Sequence, residues 1–229
     1  MKFNFQIKRG YIVYKDGADV VLFDTGCVQT IFSEQDIQGE LFSKVHKFVD
    51  SKVNKIIGMD LISRQPVFID YPKKELVFGG KTTVVAPVAK YDLDVIAPYG
   101  LLAVSLKIGG QKRKMLLDTG AATSYLLKSF VTQGKSAGKV EDFYISEPDL
   151  FETDTFLFST ECGERLSVDV KYGVPKDSIR ADIENCRVDG IIGYEWLRRF
   201  KVLLDVSSHC LALYKADDVL IPNTLAPCN

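Results

Sequence analysis

The sequence of 229 residues predicts an all-β protein with a few short helices, built from two related units. Short runs of β-branched and aromatic residues alternate with turns that contain Gly, which is typical of strands. A pair of motifs also occurs twice in the same order, which indicates a tandem repeat. Because 46% of the residues are hydrophobic and 26% are charged, the chain can form the core of a globular protein.

Each unit begins with a predicted pair of strands. In the first unit we expect strands over residues 11–14 and 20–23, on either side of a turn that contains Asp16-Gly17. In the second unit the corresponding runs are residues 102–108 and 114–117, which flank a Gly-Gly turn. Both pairs therefore predict a β-hairpin.

The repeat itself consists of two blocks. Leu-Phe-Asp-Thr-Gly at residues 22–26 is matched by Leu-Leu-Asp-Thr-Gly at 116–120, and Ile-Ile-Gly at 56–58 recurs at 191–193. A short helix is predicted directly after each Ile-Ile-Gly. A given tripeptide is expected by chance in roughly one chain in twenty of this length. Two copies with a matching second block therefore indicate a duplication.

We predict a first unit over residues 1–80, a linker rich in Gly and Pro over 81–99, and a second unit over 100–229. The units differ in length, because Gly58 follows Asp24 by 34 positions, whereas Gly193 follows Asp118 by 75. The second unit thus has roughly 41 additional residues, most of them between about 130 and 175. Small residues at 134–138 predict the tip of a hairpin in this insertion.

Charge, histidine and cysteine content exclude several functions. With 29 basic and 30 acidic residues, the chain has no net field that would attract nucleic acid. His46 and His209 are too few for a typical metal site, and we predict no metal and no cofactor. No apolar run could span a membrane, and the N-terminus does not resemble a secretory signal. The cysteines lack paired spacing, which favours a reduced, cytoplasmic protein without a disulfide framework. They are Cys27, Cys162, Cys186, Cys210 and Cys228.

The repeated Asp-Thr-Gly predicts a pair of neighbouring carboxylates. One Asp at the end of an apolar strand is most often a turn or capping residue, but two in related units meet if the units face each other. The Gly allows a sharp turn, and the Thr hydroxyl can fix the loop by binding backbone groups. Two carboxyl groups within hydrogen-bonding distance share one proton. A water between them can then attack a carbonyl group, with one carboxylate as base and the other carboxylic acid as proton donor.

These motifs resemble those of the aspartic proteases, the retropepsins and pepsins, in which two apolar residues precede Asp-Thr-Gly and two more precede a later Gly. The resemblance extends over about four fifths of the chain and is most complete in the second unit. It implies an acid protease fold of two retropepsin-like lobes related by a pseudo-two-fold axis. It also implies an aspartic endopeptidase that hydrolyses peptide bonds with Asp24 and Asp118 as its catalytic residues.

The resemblance implies roles for further residues. The Thr residues would interlock across the axis, and the Gly residues would shape the loops. These supporting residues are Thr25, Gly26, Thr119 and Gly120. Family members cover the cleft with a hairpin flap, for which the first unit has little room. The second unit would therefore supply a single flap, with Gly134, Ser136 and Gly138 contacting a peptide or protein substrate. The chain would be a monomer that forms an intramolecular pseudo-dimer, without nucleic-acid or membrane partners.

Three alternatives remain open from the sequence. A non-enzymatic peptide-binding or scaffolding module could keep the fold, and a short first unit favours this because an open cleft would exclude water poorly. Two chains could instead pair through their second units. Finally, Cys27 stands where the family usually has Ala or Ser. It is either a small packing residue or a thiol whose oxidation would stop activity.

Overall fold

The computed structural model describes residues 1–37, 39–79, 85–145, 147–163 and 166–218, and these form a mostly β structure with short helices, as predicted. The strands are β1 (Lys2–Lys8), β2 (Tyr11–Asp16), β3 (Asp19–Phe23), β4 (Ile31–Phe32), β5 (Lys55–Ile57), β6 (Val67–Asp70), β7 (Glu75–Phe78), β8 (Ala89–Ile96), β9 (Leu101–Ile108), β10 (Gln111–Leu117), β11 (Ser124–Leu126), β12 (Lys135–Asp142), β13 (Phe151–Glu161), β14 (Ser167–Gly173), β15 (Gly190–Ile192), β16 (Phe200–Asp205) and β17 (Cys210–Lys215). The helices are α1 (Glu40–Phe48), α2 (Met59–Ile62), α3 (Lys128–Val131), α4 (Asp177–Asn185) and α5 (Tyr194–Leu197), with a 3-10 turn at Ser33–Gln35.

The first unit is built around the predicted hairpin of β2 and β3. Val13 lies opposite Leu22 in this hairpin, and β3 continues parallel to β5 with Leu22 opposite Ile56. Strand β4 pairs antiparallel with the other edge of β5. The two faces of the hairpin are both buried, because Val21 and Phe23 point into the main core while Leu22 points towards helix α1. The strand that leads to Asp24 is therefore fixed on both sides.

The second unit has the same pairings at matched positions. Strands β9 and β10 form the hairpin, β10 runs parallel to β15 with Leu116 opposite Ile191, and β11 pairs antiparallel with β15. Helix α1 precedes β5 in the first unit as α4 precedes β15 in the second, and α2 and α5 follow these strands. The additional residues of the second unit form α3 and the three antiparallel strands β12, β13 and β14. The predicted position of the insertion is thus confirmed.

The two units share a six-stranded antiparallel sheet in the order β1-β7-β6-β16-β17-β8. At its centre β6 pairs with β16, and Phe68 lies opposite Leu203. Beside this pair, the ammonium group of Lys201 lies 3.5 Å from the Asp70 carboxylate, and both side chains are almost fully buried. The connection between the units is therefore a continuous sheet with a buried ion pair.

Helix α1 has nine residues and depends on packing for its stability, since an isolated helix of this length is marginal in water. Phe42, Val45 and Phe48 are buried and face Leu22 and Ile56 of the first unit. Burial of each such side chain contributes about 1.5–3 kcal/mol. Their spacing of three residues places them on one face of α1, which packs against the sheet that carries Asp24.

Two predictions about the connections are wrong. Residues 134–138 do not form a hairpin tip, because β12 begins at Lys135 and continues to Asp142. Gly138 adopts a positive φ of 84° at an irregularity in the pairing of β12 with β13, so its flexibility serves a bulge inside the strand. The stretch interpreted as a linker, 81–99, contains β8, which pairs with β17 and β9; residues 81–84 of that stretch lie outside the described residues.

None of the helices in the described part of the chain has the length and apolar character needed to cross a membrane. Cys27, Cys162 and Cys186 carry free thiols, whereas Cys210 is disulfide-bonded. Cys228 lies outside the described residues. The cytoplasmic location stays a prediction.

Candidate active site

The two repeated aspartates lie at the ends of equivalent strands, Asp24 after β3 and Asp118 after β10. The backbone N–H of Asp24 donates to the carbonyl of Ile57 at 3.1 Å, and that of Asp118 donates to the carbonyl of Ile192 at 3.0 Å. Each Asp-Thr-Gly loop is thus attached to the Ile-Ile-Gly strand of its own unit. This explains why the two blocks of the repeat occur together in the sequence.

The two loops are joined by their threonines. The N–H of Thr25 donates to the Thr119 hydroxyl at 3.0 Å, and the N–H of Thr119 donates to the Thr25 hydroxyl at 2.9 Å. Each hydroxyl also donates to a carbonyl of the opposite unit, Thr25 to Leu117 at 2.9 Å and Thr119 to Phe23 at 3.3 Å. Both side chains are buried, and each hydroxyl has a donor and an acceptor. The loops are therefore held in one relative position.

The glycines allow the loops to approach each other. The N–H of Gly26 donates to the Asp24 carboxylate at 2.8 Å, and that of Gly120 donates to Asp118 at 2.7 Å. A Cβ atom on Gly26 would overlap the carboxyl group of Asp118, and one on Gly120 would overlap that of Asp24. Glycine is thus required here for close packing, since any side chain would push the carboxyl groups apart.

The carboxyl groups of Asp24 and Asp118 line the same cavity, and each lies against the glycine of the opposite loop. Burial raises the pKa of both groups. The pKa of Asp118 rises well above its usual value, since the Asp24 charge adds to the effect of burial. Hydrogen bonds from Gly26, Asp118, Cys27 and Gly120 partly offset the rise for Asp24. Two such carboxyl groups side by side share one proton over a wide range of pH.

A cavity of about 80 Å³ lies directly above the two carboxyl groups. Its walls are apolar or aromatic side chains of the first unit together with residues 143–145 of the second. The first-unit walls are Tyr11, Leu22, Val45 and Ile56. The space suits a few waters, because one water occupies about 30 Å³ in the liquid.

Residues 143–145 and 147–150 lie between β12 and β13, and residues 143–145 line this cavity; we call these two stretches the lid tip, and Ser146 between them lies outside the described residues. The hydroxyl of Tyr11 donates to the carbonyl of Phe143 at 3.0 Å. The Phe143 ring also packs on Phe48 of α1, with 5.1 Å between ring centroids. The closing segment therefore belongs to the second unit and rests on the first.

The lid tip is attached to its own hairpin by a buried carboxyl group. Asp142 accepts hydrogen bonds from the Tyr125 hydroxyl at 2.5 Å and from the N–H of Phe143 at 2.8 Å. Tyr125 belongs to β11, five residues after Gly120. The end of β12 is thus fixed to the strand that follows the second Asp-Thr-Gly loop.

The three residues predicted to contact substrate lie elsewhere on the hairpin. Gly134 packs against Phe158, while Ser136 and Gly138 lie near the start of β12. None of them is among the described residues that line the cavity above the aspartates. Sequence reasoning missed Tyr11, Val45, Phe143 and Tyr144, which do line it. The sequence does contain features that could have identified three of them. Val45 lies in an apolar pattern with helical spacing, and Phe143-Tyr144 is an aromatic pair within the insertion.

A larger groove of about 580 Å³ begins beside the second Asp-Thr-Gly loop, at Ala122 and Thr123. One wall is a face of β12, β13 and β14, and the opposite wall is α5 with the turn at Arg9-Gly10. Charged residues lie at the rim of the groove, where the guanidinium group of Arg9 is 3.6 Å from the carboxylate of Glu141. The groove is wide enough for an extended chain.

Cys27 lies half-buried next to the first loop, and its thiol donates to the Gln29 carbonyl at 3.0 Å. Burial raises the pKa of this thiol to about 12, and the Asp24 charge contributes. The thiol is therefore protonated at neutral pH, whereas oxidation proceeds through the thiolate. This favours the packing interpretation of Cys27.

No protein-family model matches this sequence, and no curated protein is significantly similar to it. The functional assignment therefore depends on the geometry of the site.

Proposed function

We propose that this protein is an aspartic endopeptidase that hydrolyses peptide bonds with a water activated between Asp24 and Asp118. The observation that carries the proposal is the pair of aspartate carboxyl groups that line one cavity, on loops joined by the mutual hydrogen bonds of Thr25 and Thr119. A protein without such chemistry has no use for two carboxyl groups at this distance, because burial and mutual repulsion are costly.

We further propose that the units form two retropepsin-like lobes, 1–80 and 100–229, related by a pseudo-two-fold axis. The hydrogen bonds of the two Asp-Thr-Gly loops recur at positions 94 residues apart, which supports such an axis. The central strand pair adds support, since Phe68 and Leu203 lie opposite each other and each follows the Gly of its own Ile-Ile-Gly by 10 positions. An axis through this pair would relate the two aspartates.

In the proposed reaction Asp24 is the base. Its carboxylate removes a proton from the water, and the water oxygen forms a bond to the carbonyl carbon of the peptide. Asp118 at the same time donates its proton to the carbonyl oxygen, giving a neutral tetrahedral diol. The proton taken by Asp24 then passes to the amide nitrogen as the C–N bond breaks, and Asp118 regains a proton from the diol. Carboxylic acid and amine leave, and the pair returns to its starting protonation state.

The surroundings support a peptide as substrate. The apolar walls of the cavity suit an apolar side chain next to the bond that is cleaved, and the adjoining groove can accept the chain in extended form. The lid tip would exclude bulk water during the reaction.

Two observations weaken the alternatives to this proposal, the scaffold hypothesis and the two-chain hypothesis. The scaffold hypothesis started from an open cleft, but α1 and the lid tip cover the two carboxyl groups. The two-chain hypothesis needs a second copy of Asp118, but Asp24 of the same chain already occupies that position. Both remain outcomes of the test.

The test is to incubate the full-length protein with a peptide library over pH 3–8 and to identify the products by mass spectrometry. In water enriched in ¹⁸O, each new carboxyl group should carry one ¹⁸O atom. Asp24→Asn and Asp118→Asn should each reduce cleavage at least about 1,000-fold. The control Asp177→Asn, at an exposed position of α4, should cleave like the wild type. Full activity in Asp24→Asn would support the two-chain arrangement, and peptide binding without cleavage by the wild type would support the scaffold.

A further inference from the structure

Helix α1 holds the lid tip on the side of the first unit. The Lys44 ammonium donates to the carbonyl of Ile145 at 2.9 Å. One turn further along the helix, the Lys47 ammonium lies 2.7 Å from the Asp149 carboxylate. Both lysines project from the side of α1 that is not buried against Leu22. They join elements more than 100 positions apart in the sequence.

Helix α4 holds the lid tip on the side of the second unit. The Tyr144 hydroxyl donates to the Asp182 carboxylate at 2.7 Å, and the Ser178 hydroxyl donates to Glu147 at 2.5 Å. Lys176, next to the helix start, lies 3.8 Å from the same Glu147. The lid tip is therefore held between the two helices that precede the Ile-Ile-Gly strands.

The two sides differ in burial. The Lys47 and Asp149 side chains are 63% and 67% exposed, so water and salt weaken their attraction. On the α4 side, the Glu147 side chain is only 17% exposed, and the bonds from Tyr144 and Ser178 are partly buried. The two lysine contacts are therefore the weaker polar contacts of the lid tip, whereas the buried Phe143 ring is the stronger part of its attachment to α1.

The closed lid leaves too little space for a substrate. A cavity of about 80 Å³ is well below the roughly 300–1,000 Å³ typical of ligand sites. A peptide that reaches Asp24 and Asp118 must therefore displace the lid tip. Besides the two lysine contacts, that displacement breaks the packing of Phe143 on Phe48 and the hydrogen bond from Tyr11.

We propose that Lys44 and Lys47 form a latch that holds the lid tip over the two aspartates, and that release of this latch makes opening of the lid more frequent. The two lysines are positioning residues, since they act through the lid tip. That the molecule admitted is a peptide rests on the proposed function, whereas the latch itself does not.

Amide hydrogen exchange of the full-length protein tests the latch without any need for activity. In Lys44→Ala/Lys47→Ala, exchange at residues 143–145 and 147–149 should be about 3- to 10-fold faster than in the wild type. Exchange within α1 and α4 should be unchanged, since Ala is a good helix former. Lys52→Ala removes a nearby exposed lysine that does not contact the lid tip, and it should match the wild type.

Swapping the charges of Lys47 and Asp149 tests whether their ion pair holds the lid tip. Lys47→Glu alone should accelerate exchange of the lid tip, and Lys47→Glu/Asp149→Lys should restore the wild-type rate to within about twofold. Unchanged exchange in the double alanine variant, or faster exchange in α4 before the lid tip, would overturn the latch.

Kinetics then connect the latch with the proposed function. With a cleaved peptide, the double alanine variant should have a KM about 3- to 10-fold lower with kcat nearly unchanged, because less of the protein is closed to substrate. Raising the salt from 0.05 to 0.5 M should lower KM in the wild type but not in the variant. If exchange responds as expected but no peptide is cleaved, the latch stands and the proposed function fails.

Discussion

Thr25 and Thr119 each donate a backbone N–H to the hydroxyl of the other, at 3.0 and 2.9 Å. This reciprocal contact joins two residues 94 positions apart and lies directly below the carboxyl groups. Because each hydroxyl both accepts a hydrogen bond from the opposite unit and donates one to it, the contact fixes the relative position of the loops that carry Asp24 and Asp118.

We expect Thr25→Val to be strongly destabilising. Val has the shape of Thr, but without the hydroxyl the N–H of Thr119 and the carbonyl of Leu117 lose their partner in a buried place. The free energy of unfolding, measured by urea denaturation, should fall by about 2–4 kcal/mol. Thr25→Ser keeps the hydroxyl and should lose no more than about 1 kcal/mol. Equal losses in the Val and Ser variants would show that the hydroxyl contributes no more to stability than the methyl group.

The pKa of Asp118 predicts how stability depends on pH. Its pKa is raised in the folded state by burial and by Asp24, so the folded protein keeps a proton that the unfolded chain has released. Stability due to this group is therefore present at acidic pH and is lost as the pH rises above the usual pKa of Asp, about 4. Asp118→Asn does not titrate and should have the higher Tm at pH 7, by about 2–6 °C.

This difference in Tm should shrink as the pH falls to about 3.5, where Asp118 is protonated in both states. Calorimetry of wild type and variant from pH 3.5 to 8 measures it, with Asp177→Asn as the control. A variant that is less stable than the wild type at pH 7 would show that the buried carboxyl pair is not under repulsion.

The buried pair of Lys201 and Asp70 predicts a large effect of a single substitution. Lys201→Met leaves Asp70 charged and without its partner in the central sheet, which should cost about 3–5 kcal/mol in the free energy of unfolding. Lys201→Met/Asp70→Asn removes both charges and should recover much of the loss. Lys2→Met is the control, since the ion pair of Lys2 with Glu75 is exposed and should be worth less than about 1 kcal/mol.

Cys27 should be dispensable for the reaction. Because its thiol is protonated near neutral pH, we expect Cys27→Ala to cleave peptides within about twofold of the wild type. Mild treatment with hydrogen peroxide at pH 7 should inhibit both proteins equally little. Inhibition of the wild type alone would establish the redox interpretation.

The parts of the site that depend on short contiguous patterns could be predicted from the sequence. Asp-Thr-Gly and Ile-Ile-Gly each follow or form a buried strand, and the hydrogen bond from Asp118 to Ile192 explains why the two motifs occur together. The aspartates were therefore predictable as neighbours, and the structure brings them together. Their role in catalysis stays a prediction.

Other elements needed information that a local pattern does not contain. In the stretch from Ala89 to Ile96 apolar and charged residues alternate as in a strand, but nearby Gly and Pro favoured a linker. Small residues at 134–138 were interpreted as a tip because Gly is common in turns, whereas the bulge at Gly138 depends on pairing with β13. The place of Phe143 above the aspartates depends on α1, which belongs to the other unit.

The pairing of β6 with β16 has a consequence for the order of events during synthesis. Strand β6 is made more than 120 residues before β16, and until then one edge of it has no partner. Strand β6 contains Val67, Phe68 and Ile69, whose side chains are buried in the complete structure. A newly synthesised first unit therefore has an unpaired edge strand with apolar side chains. Through this strand a truncated fragment would pair with a second copy or aggregate. Completion of the second unit closes that edge and at the same step sets the distance between the two aspartates.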